Sequence, residues 1–209
     1  MIIQDEKFLR QISVPATLDE AKEIAEKLFV ELLQCKDTDV GLAAPQIGIL
    51  KQVCVIRAMK PIVLVNPRIV SAEGETWYQE GCLSFPGASV RTRRHTDIVV
   101  KVDYLGVGTE VIQEWKEDVE LAFSGDGFHQ IEEDMALLEC VAVQHEVDHL
   151  SGVLFFDREW KNEPVKAKKK YSPNERIDII HLGTKDRLER IKYKKYVKDY
   201  EPGGWKIDG

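Results

Sequence analysis

Apolar residues recur along this chain with two periods. After Thr17 they fall at Ala21, Ile24, Ala25, Leu28, Leu32 and Leu33, the spacing of one helix face. Thr17 followed three residues later by Glu20 is a capping-box signature. A core-facing helix is therefore expected over roughly residues 18–35. Shorter apolar runs follow: Val53-Cys54-Val55-Ile56, Ile62-Val63-Leu64-Val65, and Ile98-Val99-Val100 within Asp97–Asp103. Runs of this length between turn residues such as Lys60-Pro61 and Asn66-Pro67 read as strands. Ile69-Val70 and Thr76-Trp77-Tyr78 suggest two more. Residues 2–16 read as extended. Leu105-Gly106-Val107-Gly108 reads as a turn leading into Val111-Ile112, and the acidic stretch 114–134 as a loop excursion. The helical pattern returns from Met135 to Leu150, with Asp134 as N-cap and Gly152 as stop.

That second helix carries chemistry. Its Val143-Gln144-His145-Glu146-Val147-Asp148-His149-Leu150 contains His-Glu-x-x-His. Residues four apart lie on one helix face, so His145 and His149 can point at a single metal ion. Glu146 can then reach a water beside that ion without being a ligand. This is a hydrolytic arrangement. An amphipathic helix carrying two histidines would look the same locally, and two ligands do not complete a site. Cys82, in Glu80-Gly81-Cys82-Leu83-Ser84-Phe85-Pro86-Gly87, sits among turn residues, a poor place for a packing cysteine. A thiolate is a suitable third ligand for a transition metal, and a buried free cysteine is the alternative. Of Arg91, Arg93 and Arg94, one can pair with Asp148; otherwise they mark a solvated edge strand.

Composition adds limits. The 209 residues are 44% apolar, ordinary for a globular chain. No run approaches the roughly 18 apolar residues of a membrane span, and Met1–Lys7 does not read as a secretory leader. A cytoplasmic protein is expected. Cys35, Cys54, Cys82 and Cys140 form no Cys-x-x-Cys pair. The net charge of −7 is uneven: from Glu159 onward 14 Lys and Arg face 9 Asp and Glu. Such a basic tail suits contact with nucleic acid or a ribonucleoprotein, or is simply a solvated surface.

Three separated segments together resemble the peptide deformylase family: Val40-Gly41-Leu42-Ala43-Ala44-Pro45-Gln46, Glu80-Gly81-Cys82-Leu83-Ser84 and Gln144–Leu150. Phe8-Leu9-Arg10 and Gly152–Arg158 extend the likeness. Asp39 stands where the family has its first loop glycine, and residues 114–134 and those beyond Trp160 look like additions. The resemblance implies an α+β fold: antiparallel or mixed β-sheets packed around a central metal-binding helix, plus an N-terminal helix and a C-terminal extension. Residues 1–158 would form the catalytic domain and 159–209 the basic extension. It implies Cys82, His145 and His149 as ligands of one divalent ion, Fe²⁺ in the family, with Ni²⁺, Co²⁺ or Zn²⁺ as replacements. Glu146 would be the acid/base, with Gln46 and the Leu83 N–H as oxyanion donors. Val40, Gly41 and Gly81 would hold the peptide backbone. Leu138, Val141 and Ala142, which share the His145 face, would line a methionine pocket with Val40. Arg94 and Asp148 are expected to pair behind the ligands. The substrate implied is an N-formyl-methionyl polypeptide, with ribosome contact through the tail and neither a membrane nor a specific nucleic-acid sequence as partner. Two other readings remain open at this point: a metal peptidase or amidase of other specificity, and a non-catalytic ribosome-associated metal-binding protein.

Overall fold

The computed structural model describes residues 1–160 except 37, 59, 109–113 and 126–129, and only the backbone of 130–134. The expectations for Val111-Ile112 and for the tail beyond Trp160 lie outside the described residues.

Residues 2–16 are not extended throughout. Glu6–Leu9 form a one-turn helix, α1, whose N-cap Asp5 accepts from the Lys7 N–H at 2.9 Å. Helix α2 spans Leu18–Leu33 and has the expected capping box: Thr17 accepts from the Glu20 N–H, and the Glu20 carboxylate accepts from the Thr17 N–H. Its buried face is Ala21, Ile24, Ala25, Leu28, Phe29 and Leu32. Leu33, expected on that face, is 57% exposed, because it lies about 100° around the helix from Leu32; Phe29 takes the inward place.

The strands follow as β1 (Gly41–Ala43), β2 (Val53–Ile56), β3 (Ile62–Val65), β4 (Arg68–Glu73), β5 (Thr76–Gly81), β6 (Ser89–Arg94), β7 (Asp97–Val107) and β8 (Glu114–Ser124). Their pairings are antiparallel. Six strands form one sheet in the order β1-β2-β3-β7-β4, with β8 also on β7, while β5 and β6 form a separate hairpin. β7 is long enough to serve β3 and β4 along one edge and β8 along the other.

Two expectations fail here. Leu105-Gly106-Val107 is not a turn but the end of β7, and residues 114–124 are not a loop but β8. The cause is alternation: Val119, Leu121 and Phe123 point into the core while acidic neighbours lie between and before them. The acidic composition hides a period of two.

Cys54, Ile56, Ile62 and Leu64 face one side of the sheet, in one apolar cluster with Cys140, Ala142 and Val143. Val53, Val55, Val63 and Val65 face the other, in a second cluster with α2. Burial on both faces explains why β2 and β3 read as unbroken apolar runs. Helix α3 runs from Gln130 to Leu150, so Asp134 lies inside it rather than capping it. It packs on β1, β2 and β8. It stops at Gly152, in the left-handed region at φ +68°, where a Cβ would strike the Arg10 backbone carbonyl. A 3₁₀ turn, Phe155–Arg158, follows, and Trp160 then donates its N–H to the Arg91 carbonyl at 2.7 Å. Among the described residues no helix is long and apolar enough to cross a membrane.

Candidate metal centre

Two chain segments, α3 and the turn after β5, bring three candidate ligands together. α3 presents His145 and His149 one turn apart, with ring centroids 4.9 Å apart. The turn after β5 brings in Cys82, whose Sγ lies 3.3 Å from His149 Nε2. The ligand atoms of Cys82, His145 and His149 all lie within 4.8 Å of one another. No fourth His, Cys, Asp or Glu joins the group among the described residues.

The rings are set by their surroundings. His145 Nδ1 is 2.7 Å from Glu80 Oε2, which leaves Nε2 turned to the cluster. Burial would raise the Glu80 carboxyl, but hydrogen bonds from His145 and Arg94 bring it down to about 2. It is therefore an anion at neutral pH. Burial, with the charges of His145 and Arg94, pushes His149 well below its ordinary value, so its imidazole is neutral and keeps a lone pair. Burial works against charge on His145 too, yet Cys82 and Glu80 beside it hold its pKa above the ordinary value.

Glu146 is buried, and its Oε2 has no partner among the described residues; the same holds for His149 Nδ1. Burial pushes the Glu146 carboxyl up to about 7. An orphaned carboxylate oxygen in a closed site suits a proton acceptor awaiting its donor. Gly41 makes room for it: a Cβ there would stand 2.5 Å from Glu146 Oε1. A soft sulfur, two imidazole nitrogens and an adjacent unpartnered carboxylate together fit a divalent transition ion with an open position.

Gln46 lies within the 3₁₀ turn after β1 and is 1% exposed. Its Oε1 accepts from the Ala43 N–H at 2.8 Å, so its Nε2 faces Cys82 Sγ at 3.5 Å and Ser84 Oγ at 3.3 Å. Leu83 follows Cys82 in the turn and packs against the α2-side cluster. β1 lies at the edge of the large sheet. The Val40 carbonyl accepts from the Arg57 N–H at 2.7 Å and so faces into that sheet. By the alternation of a strand, the backbone groups of Gly41 face the open edge. Gly81 ends β5 opposite Ser89. Val141 and Ala142 are buried, Leu138 is half-buried, and Val40 packs against the cluster that contains Ala142. Asp39, in place of a glycine, has no positive φ; its carboxylate accepts from the Lys36 N–H and its carbonyl from Arg57.

Arg94 and Asp148 pair at 2.6 Å, both buried. The sequence reading missed the groups around them. Glu80 takes two hydrogen bonds from Arg94, at 2.5 and 2.9 Å, besides its contact with His145. Its position two residues before Cys82 was the available signal. Gln144 clasps the backbone of His95, accepting its N–H at 3.0 Å and donating to its carbonyl at 2.9 Å. That clasp fixes the β6–β7 turn to α3.

This donor set, with a buried glutamate next to the first histidine, defines a metal-dependent hydrolase. The family model "Polypeptide deformylase" matches residues 1–165. The chain is 42% identical over 126 residues to a peptide deformylase of Heliobacterium modesticaldum, covering 60% of this chain and 70% of that one. It is 35% identical over 158 residues to peptide deformylase 2 of Clostridium acetobutylicum, covering 74% and 91%. The crystal structure of peptide deformylase from Thermotoga maritima matches with a TM-score of 0.58 at 31% identity, covering 77% of this chain and 97% of that one. The chain belongs to the polypeptide deformylase family, whose members are metal-dependent hydrolases that remove the N-formyl group from nascent polypeptides.

Proposed function

We propose that the chain deformylates the N-terminal formyl-methionine of new polypeptides, with Cys82, His145 and His149 holding one divalent ion. The observation that carries this is the approach of the Cys82 sulfur to the two imidazoles beside the unpartnered Glu146 oxygen. When bound, the ion supplies Lewis-acid polarisation and lowers the pKa of a water. Glu146 takes the proton of the attacking water and passes it to the leaving amine, so that formate and a free N-terminus result. Gln46 Nε2 and the Leu83 N–H donate to the oxyanion that develops at the formyl carbon. Gly41 at the open sheet edge and Gly81 at the end of β5 hold the peptide in extended form, with Val40 beside them. Val141, Leu138 and Ala142 receive the methionine side chain; the burial of Val141 and Ala142 and the half-burial of Leu138 on the His145 face support this. A deformylase structure from Acinetobacter baumannii, 28% identical with a TM-score of 0.56, has Met-Ala-Ser bound, which supports a short peptide that begins with methionine as a ligand of this site.

Fe²⁺ is the native ion in this reading; a Cys/His/His set also accepts Ni²⁺, Co²⁺ or Zn²⁺. Residues 1–158 carry the chemistry, and the basic extension 159–209 touches the ribosome in the cytoplasm, which its 14 Lys and Arg against 9 Asp and Glu support.

The test is formate release from formyl-Met-Ala-Ser by the Co²⁺-loaded chain. Glu146→Ala is expected to lower turnover by about 10²–10⁴-fold with the bound metal retained. Release unaffected by that change removes Glu146 from its role. No release by the wild type at all refutes the proposed substrate.

A further inference from the structure

Arg158 has no part in the chemistry above, yet the structure ties it to the metal centre. It ends the 3₁₀ turn after α3, and its side chain is 47% exposed. Its guanidinium forks onto Asp148, with Nη2 donating to Oδ1 at 2.6 Å and Nε to Oδ2 at 3.0 Å. Asp148 Oδ2 also accepts from Arg94 Nη1 at 2.6 Å. Arg94 gives its remaining contacts to Glu80, Nε to Oε1 and Nη2 to Oε2. Glu80 Oε2 meets His145 Nδ1 at 2.7 Å. Three groups, Asp148, Arg94 and Glu80, thus connect a surface arginine to the ring of His145.

The charges explain why the outermost group matters. Two carboxylates, Glu80 and Asp148, face two guanidiniums, Arg94 and Arg158. The Glu80 and Asp148 side chains are only 4% and 11% exposed. Without Arg158, one guanidinium must serve both, and a nearly buried carboxylate left uncompensated is costly. Arg94 would be drawn toward Asp148, and Glu80 would hold His145 less firmly. Exposed ion pairs are ordinarily weak. This one is bidentate and its acceptor is nearly buried, the geometry in which such a pair counts.

We propose that Arg158 is a positioning residue for the metal centre: by neutralising Asp148 it leaves Arg94 committed to Glu80, and Glu80 to His145. The inference rests on the reading of Cys82, His145 and His149 as ligands. It gives the Asp-Arg pair at residues 157–158 two separate duties. Asp157 clamps Arg10 at 2.8 Å and holds the N-terminal segment; Arg158 acts inward.

The test titrates the full chain with Co²⁺ against a chelator, reading the thiolate-to-cobalt absorption and the ligand-field bands, with a melting curve for each variant. Groups behind metal ligands typically change affinity 10- to 100-fold, and Arg158→Ala is expected near the lower end, about tenfold weaker. Arg158→Lys, which keeps the charge, recovers most of that loss. Arg158→Ala combined with Asp148→Asn recovers it too, because the stranded charge is gone; a merely structural role would leave the double variant no better than the single one. Unchanged affinity and spectrum in Arg158→Ala overturn the inference, as does a loss that Asp148→Asn does not relieve. Should Arg158→Ala fail to fold, the double variant decides alone: near-wild-type affinity supports the inference and weak affinity overturns it. A wild-type chain that binds Co²⁺ without a thiolate band refutes the ligand reading itself, an outcome separate from any change among the variants.

Discussion

Helices α2 and α3 lie on opposite faces of one sheet and are buried by opposite means. The buried side chains of α2 are all apolar: Ala21, Ile24, Ala25, Leu28, Phe29 and Leu32. Its outer face can carry almost anything, including the exposed Val30 and Leu33. α3 is enclosed over Glu139–Leu150 and buries Glu139, Gln144, His145, Glu146, Asp148 and His149 among its apolar residues. Apolar burial is non-directional and scales with area. Polar burial must be matched atom by atom, since an unmet group costs more than a met one contributes. Gln144 is met by the His95 backbone, His145 by Glu80, and Asp148 by two arginines. Glu146 Oε2 and His149 Nδ1 are the exceptions among the described residues of α3, and an unpartnered oxygen beside Cys82, His145 and His149 is where reactivity belongs. One face of the sheet is a support and the other an instrument.

If the contrast is real, the two helices should fail differently. The largest effect on stability is expected at Arg94, which is 3% exposed between two carboxylates. Arg94→Ala leaves Glu80 without its guanidinium and Asp148 with Arg158 alone, and should cost roughly 3–5 kcal/mol. It should also weaken Co²⁺ binding, because Glu80 then loses its partner behind His145. Urea unfolding and metal titration of the same sample check both parts. An unaltered midpoint with unaltered metal content would remove Arg94 from any role behind the ligands.

The same division governs what the sequence disclosed. The capping box at Thr17, the apolar stripe of α2, and β2 and β3 between their turn residues were all legible, since local pattern decides them. The meeting of His145 and His149 with Cys82 was legible, the histidines with the adjacent Glu146 through their spacing and Cys82 through its odd setting among turn residues. β8 was misread because Glu114, Glu117, Asp118 and Glu120 outweighed the alternation of Val119, Leu121 and Phe123, which only the pairing with β7 makes decisive. Leu33 was placed inward because helical spacing alone does not choose between it and Phe29 at the edge of the stripe. Glu80, Gln144 and Arg158 act through partners 65, 49 and 10 residues away. Such contacts leave no period in the sequence. The Arg94–Asp148 pair was legible only as one of two options for the arginine cluster, the other being a solvated edge strand.

On the α2 side the expected effects are smaller and confined to stability. Leu28 is fully buried in the α2-side cluster. Leu28→Ala should cost about 2–5 kcal/mol through lost transfer energy and the cavity left behind, while Co²⁺ affinity per folded molecule stays at the wild-type value. A parallel loss of affinity would mean that the sheet transmits packing strain to the site, and the two faces would not be separate. Smaller still is Thr17→Ala. It removes the acceptor for the Glu20 N–H, while Glu20 keeps its ion pair to Lys51 at 2.8 Å. A loss of about 1 kcal/mol is expected, read as a lower urea midpoint at constant slope. A change in slope would indicate that the first turn of α2 frays in the native state, so that even the apolar face depends on a directional contact at its start.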